Sequence, residues 1–157
     1  RFNFKWVKIL MVQIRKAKTQ DLESILKIWL EASVKAHHFI PTSFWQNQLD
    51  DMRNIYLPSS KNYVLEKYNT VIGFASVLED NSLLAALFID PKNQGQGYGS
   101  SLIEFLKQHY PRLDLKVYAE NTASVHFYQK HGFQVIEKSM DEHTKHDEFH
   151  MTWLKEK

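Results

Sequence analysis

The feature that most constrains the fold is an apolar run that leads directly into a glycine-rich turn. Residues 82–89 contain the run Leu-Leu-Ala-Ala-Leu-Phe-Ile, and the turn at residues 92–101 holds three of the five glycines in the chain. An unbroken apolar run of this length is typical of a strand covered on both faces. Leu102, Phe105 and Leu106 then recur at helical spacing, which predicts an amphipathic helix that ends before Pro111. We therefore predict a central strand, a tight turn and a helix in succession.

A turn of this kind can bind an anion. Glycines let successive backbone amides point outward, and the start of a helix adds about half a positive charge. Gly99-Ser100-Ser101 lacks the lysine that a Walker phosphate loop requires. The spacing of Gly95, Gly97 and Gly99 is also wrong for a dinucleotide-binding fingerprint, which follows a first strand rather than a fourth. The turn is interpreted as an anion site of another kind, with a simple reversal of the chain as the alternative.

The remaining patterns predict one mixed α/β domain over residues 11–157, in the order βααβββαβαββ, with a central mixed sheet flanked by helices. A chain of 157 residues with 43% hydrophobic content buries enough apolar surface for such a core. The predicted strands lie near residues 12–16, 62–66, 71–78, 82–89, 113–117, 133–138 and 148–154, and the predicted helices near 22–35, 45–56, 102–110 and 121–131.

Charge and composition exclude several classes of function. Three of the 20 basic residues fall in residues 1–10, which carry no acid and are interpreted as a non-native or disordered leader. The rest of the chain is nearly balanced in charge, which predicts no nucleic-acid partner. The chain has no cysteine, so a thiol nucleophile, a disulfide and a thiolate metal site are excluded. It shows neither a long apolar span nor a signal peptide, which predicts no membrane partner and a cytoplasmic location.

Two motifs in this order resemble the signatures of the GNAT family of N-acetyltransferases. The first is Gln94-x-x-Gly97-x-Gly99 behind the predicted central strand. The second is a helix that opens with Asn121, contains Phe127-Tyr128 and is followed by Gly132-Phe133. The resemblance covers essentially all of residues 11–157. A narrower likeness to small bacterial lysine and amine acetyltransferases lies in Ile28-Trp29-Leu30-Glu31, His38-Phe39-Ile40 and Leu84-Ala85-Ala86-Leu87-Phe88.

The resemblance implies an enzyme that transfers the acetyl group of acetyl-CoA to a primary amine, either a protein lysine or a small molecule, without a metal. It implies that the backbone of residues 87–89 pairs with the pantetheine arm and that an amide there polarises the thioester carbonyl. Ala85-Ala86 would leave room for the thioester. The residues expected to bind the cofactor are Leu87, Phe88, Ile89, Gln94, Gly95, Gln96, Gly97, Tyr98, Gly99, Ser100 and Asn121.

Acetyl transfer to an amine needs a proton donor for the leaving thiolate and an unprotonated nucleophile. Tyr128 is the expected general acid, because a phenol with a pKa near 10 keeps its proton at neutral pH. Glu79, at the predicted end of the third strand, is the expected general base, with Glu31, His37 and His38 as alternatives. Deprotonating a lysine at pH 7 costs about 4.6 kcal/mol, against roughly 1 kcal/mol for an α-amine, so a lysine enzyme has more use for a base.

The joint between the first two helices is expected to cover the acceptor amine, with Trp29 and His38 as its contacts. His143, His146 and His150 are spaced as metal ligands can be, but strand alternation puts them on two faces, and no metal is predicted. A non-catalytic acyl-CoA-binding or sensor module is the alternative function. The terminal strands leave both a monomer and a homodimer open.

Overall fold

The computed structural model describes residues 12–157, which form a seven-stranded mixed sheet with helices on both faces. The strands are β1 (Val12–Lys16), β2 (Lys61–Lys67), β3 (Thr70–Leu78), β4 (Leu83–Ile89), β5 (Arg112–Tyr118), β6 (Gln134–Met140) and β7 (Asp147–Leu154). The main helices are α1 (Leu22–Ala36), α2 (Thr42–Asn47), α3 (Tyr98–His109) and α4 (Thr122–Lys130). The predicted fold class and element order are confirmed. The leader predicted at residues 1–10 lies outside the described residues.

The segment between α2 and β2 departs from the continuous helix that the sequence predicts. Leu49–Asp51 and Leu57–Ser59 are single α-turns, and Met52–Tyr56 between them is π-helical. The amide of Leu57 donates to the carbonyl of Met52, five residues earlier. Residues five apart in an α-helix point about 140° apart, whereas the wider π turn brings them onto one side. Met52 and Leu57 are accordingly both buried.

Two hydrophobic cores cover the two faces of the sheet. Val64 and Phe74 lie in one core with Ile25 of α1, and Leu65 lies in the other with Leu102 of α3. Neighbouring residues of a strand thus enter opposite cores, as the two-residue period of a strand requires. A functional site must therefore lie where this cover is interrupted.

The interruption lies between β4 and β5. The strand order is β1-β2-β3-β4-β5-β7-β6, and β4 and β5 are the parallel neighbours. Their pairing is restricted to Leu83 opposite Asp114, where the amide of Asp114 also donates to the carbonyl of Ser82 at 2.8 Å. Beyond that point the two strands diverge, while each stays paired with its other neighbour, β3 or β7. The sheet is therefore split by a gap that is closed at the start of β4 and open at its carboxyl end.

The split corrects the expectation that the central strand is covered on both faces. Ala85 is exposed, and Leu87 and Phe88 are only half-buried, because β5 turns away from this side of β4. A shift in register between Ser76 and Val77 also leaves Ala85 without a partner in β3. Such a bulge frees backbone groups that a regular ladder would have consumed. The apolar run thus lines a cleft instead of filling a closed core.

Candidate active site

The gap between β4 and β5 forms a cleft of about 240 Å³ that crosses the sheet. Its two walls are the diverging strands, and side chains from the helices on both faces close its ends. The lining residues are Trp29, His37, Trp45, Leu84, Ala85, Ala86, Leu87, Phe88, Leu115, Lys116, Val117, Tyr118, Asn121, Ser124, Tyr128 and Glu148.

Tyr128 lies on the α4 side of the cleft. Its ring packs edge-on against Phe127 and Phe133, with centroid distances of 5.2 and 5.5 Å. Within the described chain its hydroxyl has no hydrogen-bond partner, and burial raises the pKa of the phenol well above its usual range. The hydroxyl therefore keeps its proton at neutral pH and is free to donate it to a group bound in the cleft.

Asn121 connects the two sides of the cleft. It caps α4, where its side-chain oxygen accepts from the amide of Ser124 at 3.3 Å. Its side-chain nitrogen lies 3.5 Å from Nε2 of His37, which belongs to the helices on the opposite face. Asn121, predicted as a helix cap and cofactor ligand, thus also contacts a residue on the α1 side of the cleft.

His37 is a neutral imidazole on the α1 side of the cleft. Its Nδ1 lies 2.8 Å from the carbonyl of Ser33, an acceptor, so Nδ1 carries the hydrogen and Nε2 the lone pair. Burial lowers the pKa of His37, with the Ser33 hydrogen bond acting in the opposite direction. The ring stacks on Trp45 at 4.8 Å and meets Tyr118 edge-on at 5.4 Å. The α1 side of the cleft is therefore walled by flat, mostly aromatic surfaces.

Glu148 is the acidic side chain that lines the cleft in the part of the chain that the structure describes. It lies on β7 directly opposite Tyr118, so the two side chains share the α1 face of the sheet. The side chain is 16% exposed, and its carboxylate lies 3.9 Å from the ammonium of Lys116. Burial raises the pKa of Glu148; Lys116 lowers it, and the nearby charge of Asp141 raises it further. A carboxylate in this setting is a candidate proton acceptor.

The sequence did not identify Glu148 as a catalytic candidate. Its position in the predicted strand at residues 148–154 gave no signal of that role. The alternation of β7 could have placed Glu148 and His150 on one face, but no local signal showed that β7 lies beside β5.

Glu79, the expected base, lies outside the cleft. It follows β3 in a short 3-10 turn, near the closed end of the gap and beside a separate surface pocket. Its carboxylate accepts from the hydroxyl of Tyr110 at 2.9 Å and lies 3.9 Å from the ammonium of Lys61. The structure therefore does not bring Glu79 together with Tyr128.

Of the two residues expected to contact the acceptor amine, Trp29 lines the cleft and His38 does not. Trp29 lines the cleft, is 6% exposed and meets Trp45 edge-on at 5.8 Å. His38 is exposed, packs edge-on against Phe39 at 5.5 Å and is not among the lining residues. The neighbouring residue, His37, occupies the position in the cleft that His38 was expected to fill.

The glycine turn lies at the open end of the gap. Gly95 and Gly97 have φ values of 77° and 87°, a left-handed backbone in which glycine is strongly preferred. Gly97 caps α3, and the first bond of the helix runs from the amide of Ser101 to the carbonyl of Gly97 at 3.1 Å. The amides of the first three helical residues thus have no acceptor within the helix. The turn presents these donors beyond the carboxyl end of β4.

The other expected cofactor residues surround this turn. Leu87 and Phe88 line the cleft, whereas Ile89 is buried, and its carbonyl accepts from the side-chain amide of Gln94 at 3.0 Å. The Gln94 side chain also accepts from Lys35 at 3.1 Å, which ties the turn to the end of α1. Gly95 and Gln96 are exposed, and Tyr98, Gly99 and Ser100 begin α3 half-buried.

Two of the three histidines near the last strand, His146 and His150, are paired with acids. His146 Nδ1 lies 2.7 Å from Glu120, and His150 Nε2 lies 3.1 Å from Asp114. Among residues 12–157, no group of three or more potential ligands is placed to hold a metal ion. That part of the chain also contains no helix long and apolar enough to span a membrane.

The fold, the split sheet and the glycine turn define an acetyltransferase of the GNAT class. The family model described as an acetyltransferase (GNAT) domain matches residues 14–154. The chain therefore belongs to the GNAT family and is an acetyl-CoA-dependent N-acetyltransferase.

Individual relatives agree with this assignment. The chain is 34% identical over 140 residues to the peptidyl-lysine N-acetyltransferase YiaC of Escherichia coli, covering 89% of this chain and 95% of YiaC. It is 31% identical over 131 residues to the peptidyl-lysine N-acetyltransferase YjaB of Salmonella typhimurium, covering 83% and 88% of the two chains. The solution structure of apo YjaB from Escherichia coli superposes with a TM-score of 0.79 at 26% identity, covering 92% of this chain and 99% of YjaB.

Proposed function

We propose that this enzyme acetylates the side-chain amine of lysine residues in proteins or peptides. The observation that carries the proposal is the cleft, which has a protonated phenol on one face of the sheet and a carboxylate on the other. A carboxylate complements the ammonium group of lysine, and flat walls suit its alkyl chain. The names of the two curated relatives, both peptidyl-lysine acetyltransferases, support the same acceptor.

We propose that the cofactor lies across the open end of the gap. The open cradle at Gly95 and Gly97, where a Cβ would meet no atom within 4 Å, fits a diphosphate held by the amides of residues 98–100. The diverging edge of β4 fits an extended pantetheine arm, and the unpaired bulge at Ala85 offers space for the thioester. Bound acetyl-CoA supplies the activated acetyl group there.

Tyr128 and Glu148 divide the proton transfers between them. Glu148 receives hydrogen bonds from the acceptor ammonium and takes one proton from it, directly or through water. The free amine would bond to the acetyl carbon, and Tyr128 would donate its phenolic proton to the sulfur as the thioester bond breaks. The second proton of the amine, released as the amide forms, would restore the phenol. We propose Glu148 in place of Glu79 because Glu148 lines the cleft with Tyr128, while Glu79 is bonded to Tyr110 elsewhere.

The test measures acetylation of a lysine peptide with a blocked N-terminus by thiol release, with mass spectrometry to locate the acetyl group. We expect acetylation of lysine, no acetylation of the same peptide with arginine in its place, and weaker turnover of a free polyamine. Acetylation of the polyamine or of a free α-amine, without acetylation of any lysine peptide, would contradict the proposal.

Tyr128→Phe tests the proton donor. We expect kcat to fall about 100-fold or more, because loss of a general acid typically costs this much, while the Kd for CoA stays within about twofold. Tyr56→Phe is the matched control, since Tyr56 is 49% exposed and is not among the residues that line the cleft. Full turnover by Tyr128→Phe would assign the proton donor elsewhere.

A further inference from the structure

Three side chains form a hydrogen-bonded row beside the glycine turn. The hydroxyl oxygen of Ser100 lies 3.0 Å from Nε2 of His131, and Nδ1 of the same ring lies 3.1 Å from a carboxylate oxygen of Glu104. Ser100 is the third residue of α3, Glu104 lies one turn further along it, and His131 directly follows α4. The proposed roles of Tyr128 and Glu148 make no use of this row, which we call the Ser100–His131–Glu104 row.

The carboxylate fixes where the imidazole keeps a hydrogen. Burial raises the pKa of Glu104, but the hydrogen bond to His131 and the nearby Lys107 outweigh it and hold this pKa below its usual value. Glu104 is therefore an acceptor at neutral pH, and Nδ1 of His131 carries a hydrogen toward it. The side chain of His131 is 11% exposed and its ring packs against Phe127 at 4.7 Å, so the ring is held in place.

The protonation of His131 then decides what the Ser100 hydroxyl can do. In the neutral ring, Nε2 has only a lone pair, so Ser100 must donate its hydrogen to His131. In the imidazolium, Nε2–H donates to the Ser100 oxygen, and the hydroxyl hydrogen is free to donate to another acceptor. Histidine is the side chain that changes between these two forms near neutral pH.

The position of Ser100 gives the free hydroxyl an acceptor. Ser100 lies in the first turn of α3, among the amides that face the proposed diphosphate position. The next hydroxyl, that of Ser101, donates to the carbonyl of Gly97 at 3.2 Å and is committed to the helix start. Ser100 is thus the hydroxyl of this turn that can switch from a protein acceptor to a phosphate oxygen.

We propose that His131 is a positioning residue that couples proton uptake to binding of the cofactor diphosphate through the hydroxyl of Ser100. This inference rests on the proposed function, in which the glycine turn holds that diphosphate. With His131 protonated, Ser100 donates to the anion and Glu104 balances the new positive charge. With His131 neutral, the hydroxyl hydrogen points away and its lone pairs face the phosphate oxygens.

Other charged groups surround the ring on each element that packs against it. On α3, the ammonium of Lys107 donates to the carbonyl of His131 and lies 3.4 Å from Glu104, so a positive charge lies beside the row. Lys130, the last residue of α4, and Glu156, beyond β7, line the surface depression next to the ring. Glu104 is the acid in direct contact with His131.

Calorimetric titration of the full chain with dephospho-CoA tests the coupling. This probe keeps the diphosphate but lacks the terminal phosphate monoester, whose own titration near pH 6 would otherwise contribute protons. Titrations in buffers of different ionisation enthalpy, between about pH 6 and 8.5, count the protons taken up. We expect uptake of up to one proton, with affinity falling by at most tenfold per pH unit as pH rises.

Three variants identify the group that takes up the proton. His131→Gln cannot titrate and Ser100→Ala has no hydroxyl, so each should lose the proton uptake and the pH dependence while still binding the probe. His126→Gln is the matched control, because His126 is an exposed residue of α4 outside the row and should behave like the unmodified protein. Thermal unfolding shows whether each variant is folded. If His131→Gln does not fold, Ser100→Ala alone provides the test.

The outcomes separate this inference from the function on which it rests. Failure of the unmodified protein to bind either CoA or dephospho-CoA would overturn the proposed cofactor site itself. Binding without proton uptake, or with an uptake that His131→Gln and Ser100→Ala leave unchanged, would overturn the coupling and leave the cofactor site standing. Loss of the uptake in Ser100→Ala with retained binding would establish it.

Discussion

Replacing Glu148 by glutamine isolates its proposed role as proton acceptor, because the amide keeps the shape of the side chain and loses its basicity. Freeing a lysine amine at pH 7 costs about 4.6 kcal/mol, and a positioned base typically contributes 100- to 10,000-fold, or about 2.7 to 5.5 kcal/mol. The carboxylate lies 3.9 Å from the ammonium of Lys116, whose side chain is 58% exposed, so removing the carboxylate charge leaves no buried cation without a partner. We expect kcat/KM for a lysine peptide to fall about 100- to 1,000-fold at pH 7.

The pH profile distinguishes a base from a purely structural residue. A base must be ionised, so activity of the unmodified enzyme is lost as pH falls through the pKa of Glu148, which burial holds above its usual value. In Glu148→Gln this acid limb of the pH–rate profile disappears, and the rate follows the free-amine fraction of the substrate, rising up to about tenfold per pH unit. Lys116→Met should move the limb of the otherwise unmodified enzyme to higher pH, because Lys116 lowers the pKa of Glu148.

The assay is the initial rate of thiol release against pH at saturating acetyl-CoA, with thermal unfolding to confirm the fold. Glu137→Gln on the exposed strand β6 is the matched control and should keep the unmodified rate and profile. A Glu148→Gln enzyme with an unchanged rate at pH 7 and an unchanged acid limb would refute the reasoning.

Two further predictions concern stability. Gly97→Ala places a Cβ on a residue with a φ of 87° and should destabilise the fold by about 1–2 kcal/mol, which lowers Tm by about 2–8 °C in thermal unfolding. Gly99→Ala adds a Cβ 3.4 Å from the Phe127 ring and should lower Tm less. Equal losses of Tm in the two variants would contradict the role of backbone strain. Asp114 accepts from Arg112, Thr152 and His150, and the Arg112 hydrogen bond is the main reason that its pKa is lowered to about 2. Because the pKa of Asp114 is lower in the folded than in the unfolded chain, where it is near 3.9, the ionised carboxylate stabilises the fold above that pH, and this stabilisation is lost as pH falls toward 2. Urea unfolding should therefore show up to about 2 kcal/mol of acid-dependent stability that Asp114→Asn lacks. An unchanged dependence of the unfolding free energy on pH in Asp114→Asn would contradict this.

Local patterns predicted much of the fold. The order of the strands and helices and the turn at Gly95 and Gly97 follow from periodicity and from backbone preferences that act over a few residues. Asn121 as a helix cap belongs to the same class. The π-helical turn at Met52–Tyr56 escaped prediction because it depends on burying two side chains together.

The sequence by itself determined which elements form, where the glycine turn lies and, through the family signature, that Tyr128 belongs to the proposed site. Only the tertiary structure decided that β4 and β5 diverge, that Glu148 lines the resulting cleft together with Tyr128 and that Glu79 does not line it. The reason is physical. The period of a strand fixes which side chains share a face, but the identity of its neighbours depends on the packing of the whole sheet, and β7 lies between β5 and β6 although it is the last strand in the chain.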